Sequence, residues 1–207
     1  TVMCAGMFLV LLDVTIVNVA LPSIARGLHA GVASLQWVVD GYAVAIASLL
    51  LAAGALGDRF GHRRMLLAGF SLFGAASLAC ALAPHPAALI AARVAQGCGG
   101  ALLLPGTMAV IADVFPGRAE QARALGTWAA VSSLALPAGP LLGGVLVGSG
   151  SWRLVFWINV PLVLATIVAA SRVVPARHVR ASGALDVAGL VGLALGLAGL
   201  VFTIISA

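Results

Sequence analysis

Apolar residues in this chain come in long runs rather than in stripes. Seven runs stand out, at about Val2–Ala20, Leu35–Leu56, Met65–Leu82, Ala87–Ile111, Ala124–Val147, Arg153–Ala170 and from Leu185 to the end. Each approaches the roughly 20 residues that a helix needs to cross a bilayer. Backbone groups in hydrocarbon must be paired within the segment, so such runs predict helices rather than open strands. The polar stretches between them are short. Pro22 lies just past the first run, Pro84, His85 and Pro86 form a tight turn, and Gly148 to Ser151 form another. The pattern predicts an all-α membrane protein: a six-helix bundle over residues 1–171, a linker at 172–184 and a seventh transmembrane helix at 185–207.

Composition agrees with this reading. Of 207 residues, 62% are hydrophobic and 8% are charged, against roughly 25% charged in a soluble domain. There is no lysine, and the net charge of +5 comes from arginines. Arg59, Arg63, Arg64, Arg118, Arg123, Arg172, Arg177 and Arg180 fall on one side of the expected bundle, and only Arg26 and Arg153 on the other. Basic loops stay in the cytoplasm, which places the N-terminus there, in the cell membrane. Arginines in short loops describe membrane topology, not a nucleic-acid surface. Cys4, Cys80 and Cys98 lie in apolar runs with no metal or disulfide spacing, so no metal site is expected. The chain begins without Met and stops inside an apolar run, so it is expected to be a piece of a longer protein.

The turn after the second run organises the rest. Gly54-Ala55-Leu56-Gly57-Asp58-Arg59-Phe60-Gly61-His62-Arg63-Arg64 sets an acid, three arginines and a histidine between two apolar runs. Such a stretch is expected to be a short aqueous loop. It resembles the G-x-L-a-D-R-x-G-R-[RK] loop between helices two and three of the major facilitator superfamily. Gly54, Leu56, Asp58, Arg59, Gly61 and Arg63 match; Gly57 stands where alanine is common, and His62 where a basic residue is usual.

Asp13 sits near mid-depth of the first run, where an acid costs about 2.5–3.5 kcal/mol on insertion scales. It either lines a cavity or is held by a neighbouring helix. The stretch Leu12-Asp13-Val14-Thr15-Ile16-Val17-Asn18-Val19-Ala20-Leu21-Pro22 resembles the L-D-x-T-I-V-N-V-A-L-P signature of multidrug:proton antiporters in the fourteen-helix branch of that superfamily. The resemblance implies that Asp13 couples to protons and binds cationic substrate. Arg93 and Gln96 share one face of the fourth run, in a stretch similar to the family's R-x-x-Q-G-x-G-x-A. The resemblance gives Arg93 a part in proton transfer, while the residue alone also permits snorkelling to the interface. Ala135 to Gly144 resembles the g-x-x-x-G-P-x-x-G-G motif of antiporters, with Gly139, Pro140, Gly143 and Gly144 matching and Ala135 in place of the first glycine. Glycines four apart permit close helix approach and Pro140 can kink the helix; this suits a gate or simple packing. Trp152, Arg153, Phe156, Ile158, Asn159, Val160 and Pro161 resemble the W-R-x-x-F-x-I-N-V-P start of the sixth helix in the same branch. Asp40 either lines an outer vestibule or is a solvated acid favoured by the helix dipole.

These readings converge on the N-terminal half of a secondary transporter, with the second half of the same transporter, a small-molecule substrate and the lipid bilayer as partners. Export of drug-like compounds in exchange for protons is the expected activity, against a nutrient symporter or a truncated, non-transporting product. No G-x-x-x-x-G-K-[ST] is present, so no nucleotide cofactor is expected and energy would come from a proton gradient. No H-E-x-x-H, G-x-S-x-G or ligand cluster argues for an enzyme.

Overall fold

Hydrophobic runs this long have one low-energy answer in hydrocarbon, and the chain adopts it. The computed structural model describes residues 2–174, together with the single positions Gly189, Gly192, Gly196, Leu197, Gly199 and Thr203. The expected linker and seventh helix otherwise lie outside the described residues. Among those described there are eight helices and no strand: α1 (Val2–Leu28), α2 (Val32–Phe60), α3 (His62–Leu82), α4 (Pro86–Val114), α5 (Arg118–Ser133), α6 (Ala135–Gly148), α7 (Leu154–Trp157) and α8 (Asn159–Val173). With α5–α6 and α7–α8 each counted as one span, six helices are long and apolar enough to cross a membrane.

The helices reach further than the apolar runs. Pro22 lies inside α1, not beyond it. Its ring removes one backbone bond, but Ile24 and Leu28 past it are buried against Trp152 and Val155, so packing carries the helix on. The organising stretch is no glycine-rich loop either. Gly54 and Gly57 lie within α2, and Gly61 alone separates α2 from α3. Gly61 has φ +93, and its N–H donates to the Gly57 carbonyl at 2.9 Å. A side chain is strained at that φ, which is why a glycine ends this helix. The charged stretch between the fourth and fifth apolar runs is likewise mostly helical: only residues 115–117 lie outside a helix, because Arg118 already opens α5.

Two spans each carry a one-residue interruption of the helical hydrogen bonding where one unbroken helix was expected, while Leu134 and Ile158 keep right-handed helical dihedrals. Pro137 and Pro140 deny donors to the carbonyls of Ser133 and Leu136; α5 ends at Ser133 and α6 begins at Ala135. Pro161 does the same to Trp157, where α7 gives way to α8.

The core has three layers. An apolar cluster at the arginine-rich end gathers Met3, Met7, Phe70, Phe73, Leu103 and Trp128. A second at the opposite end gathers Ile16, Ile24, Cys80, Leu89, Trp152 and Phe156. Between them lie Asp13, Ser77, Arg93, Gln96 and Asn159, all buried. The two ends are fastened separately. Arg63 Nη2 donates to the Ser171 carbonyl at 2.7 Å, tying α3 to α8. Arg153 Nη2 donates to the Ala83 carbonyl at 2.8 Å while its guanidinium lies 4.3 Å from the Trp152 ring centroid.

Candidate functional site

The middle layer is polar because five elements each send a polar group to one point. Glycines on α4 make this possible. A Cβ at Gly97 would come within 2.6 Å of the Tyr42 carbonyl oxygen, and one at Gly99 within 2.7 Å of the Phe73 nitrogen. Without side chains there, α2 and α3 press backbone to backbone on α4. Arg93 and Gln96, just before these glycines on α4, are enclosed.

Asp13 is 0% exposed and Arg93 is 1% exposed. Arg93 Nη1 donates to Asp13 Oδ2, forming a buried ion pair between α4 and α1. Two amides serve the other carboxylate oxygen: Gln96 Nε2 donates to Asp13 Oδ1 at 2.8 Å, and Asn159 Nδ2 at 3.0 Å. Arg93 has further partners of its own. Nε donates to the Val38 carbonyl at 3.0 Å, Nη1 to Gln96 Oε1 at 2.8 Å, and the guanidinium sits 4.1 Å from the Tyr42 ring centroid. Gln96 is fully engaged: Nε2 also donates to Ser77 Oγ at 2.9 Å, and Oε1 also accepts from Cys80 Sγ at 3.6 Å. A buried ion pair survives only when geometry and added hydrogen bonds compensate desolvation, and here each charge has several bonds.

Of the residues singled out in the sequence, Asp13, Arg93 and Gln96 meet here. Asp40 does not; it is part-exposed on α2, two residues past the carbonyl that Arg93 uses. The reading of Arg93 as snorkelling to the interface is excluded by its burial. Asn159 stands out in the sequence only as part of the sixth-helix motif, and Ser77 and Tyr42 do not stand out as site residues. Their signal in the sequence was a polar group inside an apolar run, which serine and tyrosine give too weakly.

The antiporter-like motif faces α1 one turn beyond Asp13. A Cβ at Gly139 would overlap Thr15 Oγ1 and come within 2.5 Å of Thr15 Cβ. One at Gly143 would come within 3.0 Å of Val19 Cβ. Thr15 Oγ1 lies 3.2 Å from the Ala135 carbonyl oxygen, to which it can donate across the same contact. Gly144 points into open space, and so does Gly54 on α2.

At the arginine-rich end, Asp58 is exposed and lies 3.5 Å from His62 Nε2. Arg59 stacks at 5.9 Å from the Phe60 ring centroid. The two departures from the family pattern belong together. A Cβ at Gly57 would come within 2.7 Å of His62 Nδ1, so the glycine at 57 leaves the space that the imidazole at 62 fills.

Comparison with known proteins follows the same lines. Residues 3–196 match the family model described as Major Facilitator Superfamily. The chain is 45% identical over 157 residues to the multidrug resistance protein Stp of Mycobacterium tuberculosis, covering 76% of this chain and 29% of that protein. It is 42% identical over 204 residues to the tetracenomycin C resistance and export protein of Streptomyces glaucescens, covering 98% and 38%. It is 39% identical over 201 residues to the methylenomycin A resistance protein of Bacillus subtilis, covering 97% and 42%. The chain thus spans less than half the length of these curated relatives. Among solved structures, the human organic anion transporter MFSD10 superimposes with a TM-score of 0.72 at 20% identity, over 96% of this chain and 53% of that one. The inward-open xylose transporter XylE of E. coli gives 0.68 at 17% identity, over 99% and 55%. These two likenesses speak for the fold.

Proposed function

The chain belongs to the major facilitator superfamily, and from that premise we propose that it is the N-terminal half of a proton-driven exporter of small hydrophobic or cationic compounds. It is a multi-pass membrane protein with six spans among its described residues. The observation that carries the proposal is the Asp13–Arg93 pair. One acid and one base sit in the middle of the bundle, on different helices, each shut away from solvent. Intramembrane ionisable residues of this kind mark ion pathways and proton relays. A proton is small enough to reach and neutralise such a carboxylate with little disturbance of the surrounding packing.

Neutralising Asp13 removes the attraction that joins α1 to α4. Arg93 keeps Val38, Gln96 and Tyr42, all on α2 and α4, so it stays behind when α1 is released. Alternating access in this fold is a rocking of bundles about a central site, and a latch between two helices that opens on protonation suits it. The burial of Asp13 favours coupling over direct contact with substrate, because a compound lodged against this half meets no carboxylate until the latch opens. That its relatives are named as resistance and export proteins supports an outward direction of transport. The second half of the fold would supply the opposing wall of the substrate site. The arginine-rich end would face the cytoplasm, with the N-terminus beside it.

The test uses the full-length protein in everted vesicles, with ethidium as the transported dye and a pH indicator. Asp13→Asn is expected to abolish gradient-driven transport with expression intact, Asp13→Glu to keep part of it, and Asp40→Asn to be milder than Asp13→Asn. Transport by Asp13→Asn at the parent rate and with the parent pH dependence would refute coupling through Asp13.

A further inference from the structure

Two amides hold Asp13, and they are not equivalent. Gln96 uses both N–H groups and both lone pairs of its oxygen, on Asp13, Ser77, Arg93 and Cys80. If it turned over, four bonds would break. Asn159 donates through Nδ2 to Asp13, and its Oδ1 is buried with no hydrogen-bond partner among the described residues. Asn159 is itself 0% exposed. Its present orientation follows from chemistry, because an ionised carboxylate only accepts hydrogen bonds. The titratable groups around Asp13 are Arg93 from α4, Tyr42 from α2 and Cys80 from α3; α8 brings this amide.

We propose that Asn159 is a positioning residue that reads the protonation state of Asp13 by turning its amide over. The inference rests on the proposed function above. With Asp13 ionised, Nδ2 of Asn159 donates to Oδ1 of the carboxylate, as observed. A proton arriving at Asp13 adds to a lone pair of Oδ1, because Oδ2 faces the guanidinium. The charge on Asp13 goes from minus one to zero and no other covalent bond is made or broken. The new O–H needs an acceptor, and the Nδ2 facing it is a donor. Rotation of the Asn159 amide by half a turn presents its oxygen to that O–H. One end of the amide is bonded and one end free in both states, so the exchange leaves the number of unpaired buried polar atoms unchanged. An unpaired buried donor or acceptor is expensive, and Gln96 cannot offer this exchange without breaking its other bonds.

The placement links the switch to the backbone. Asn159 is the first residue of α8, directly after Ile158, where Pro161 leaves the Trp157 carbonyl without its helical donor. Protonation would then be felt at once on α1, which loses Arg93, and at the junction of α7 with α8.

The experiment uses the reconstituted full-length protein and two readouts. Infrared difference spectra across a pH titration report the carbonyl stretch of protonated Asp13, identified by its loss in Asp13→Asn. Asn159→Leu, which keeps the volume and removes both amide ends, is expected to move this band to higher wavenumber. Asn159→Asp, whose protonated carboxyl offers one donor and one acceptor at the same reach, is expected to leave it at the parent position and serves if Asn159→Leu does not fold. In proteoliposomes, Asn159→Leu is expected to lower pH-gradient-driven ethidium movement about tenfold while downhill ethidium exchange stays within about twofold. An unmoved band in Asn159→Leu, or an equal fall in driven and downhill movement, would overturn the inference. Failure of the proposed function looks different: the unsubstituted protein would itself show no pH-driven movement, while the infrared result still reads the state of Asn159.

Discussion

Removing one charge from the Asp13–Arg93 pair tests whether the middle layer is a closed electrostatic unit. Arg93→Met leaves a carboxylate that is 0% exposed with two amide donors and no cation. Breaking a buried pair in this way costs about 3–5 kcal/mol. Asp13→Asn leaves the guanidinium with Val38, Gln96 and Tyr42, and the new amide oxygen can still accept from Nη1. Its new N–H groups face Gln96 Nε2, which cannot turn, and Asn159, which can. The cost of Asp13→Asn therefore falls at or below the low end of that range, about 3 kcal/mol. In the double variant neither charge is orphaned, so the two losses are expected not to add. The shortfall should lie near the upper end of the roughly 0.5–3 kcal/mol seen between contacting residues. The assay is thermal unfolding of the full-length protein in mild detergent, followed by tryptophan fluorescence at one fixed scan rate. Because such unfolding is commonly irreversible, midpoints are compared in rank. The expected order is parent, then Asp13→Asn, then Arg93→Met, with the double variant above Arg93→Met. A double variant as unstable as the summed singles, or an Arg93→Met protein as stable as the parent, would show that no buried charge pair is being broken.

Substitution at the α1–α6 contact should read out packing directly. Gly139→Ala brings a methyl group into Thr15 and is expected to lower the unfolding midpoint by an amount corresponding to about 1–3 kcal/mol; Gly139→Leu should spare insertion and reduce export strongly. Full export by a normally expressed Gly139→Leu protein would mean that the contact is dispensable. Gly144→Ala, which enters open space, serves as the silent control for stability. For topology, a cysteine at Gly117 is expected to resist a membrane-impermeant reagent added outside intact cells, and one at Ser149 to react. Labelling at Gly117 and protection at Ser149 would reverse the orientation.

The six spans, their order and the all-helical class were legible in the sequence because hydrocarbon leaves the backbone few alternatives. A run of about 20 apolar residues becomes a helix whatever packs against it. Chain ends of helices were less legible. The extra turns around Pro22, Asp58, Arg59 and Arg118 are polar or carry a proline, and no hydropathy pattern reveals that neighbours will support them. The breaks at Leu134 and Ile158 were written in the prolines three residues on, but each lies within a run that reads as continuous. Asp13, Arg93 and Gln96 stood out individually, since an ionisable or amide group within an apolar run is conspicuous.

What no single run contains is the meeting of those groups. Asp13 and Arg93 are 80 residues apart in sequence, and their contact depends on Gly97 and Gly99 letting α2 and α3 close on α4. Asn159 is 146 residues from the Asp13 it holds and reaches it only because α8 packs beside α1. Gly57 and His62 are separate departures in the sequence and one fitted pair in the fold, where the imidazole fills the glycine's space. Sequence alone determined that each of the six spans crosses the membrane, because that is a property of each segment against its solvent. Only the tertiary structure decided which polar groups share the middle layer, because that is set by how closely backbones approach one another.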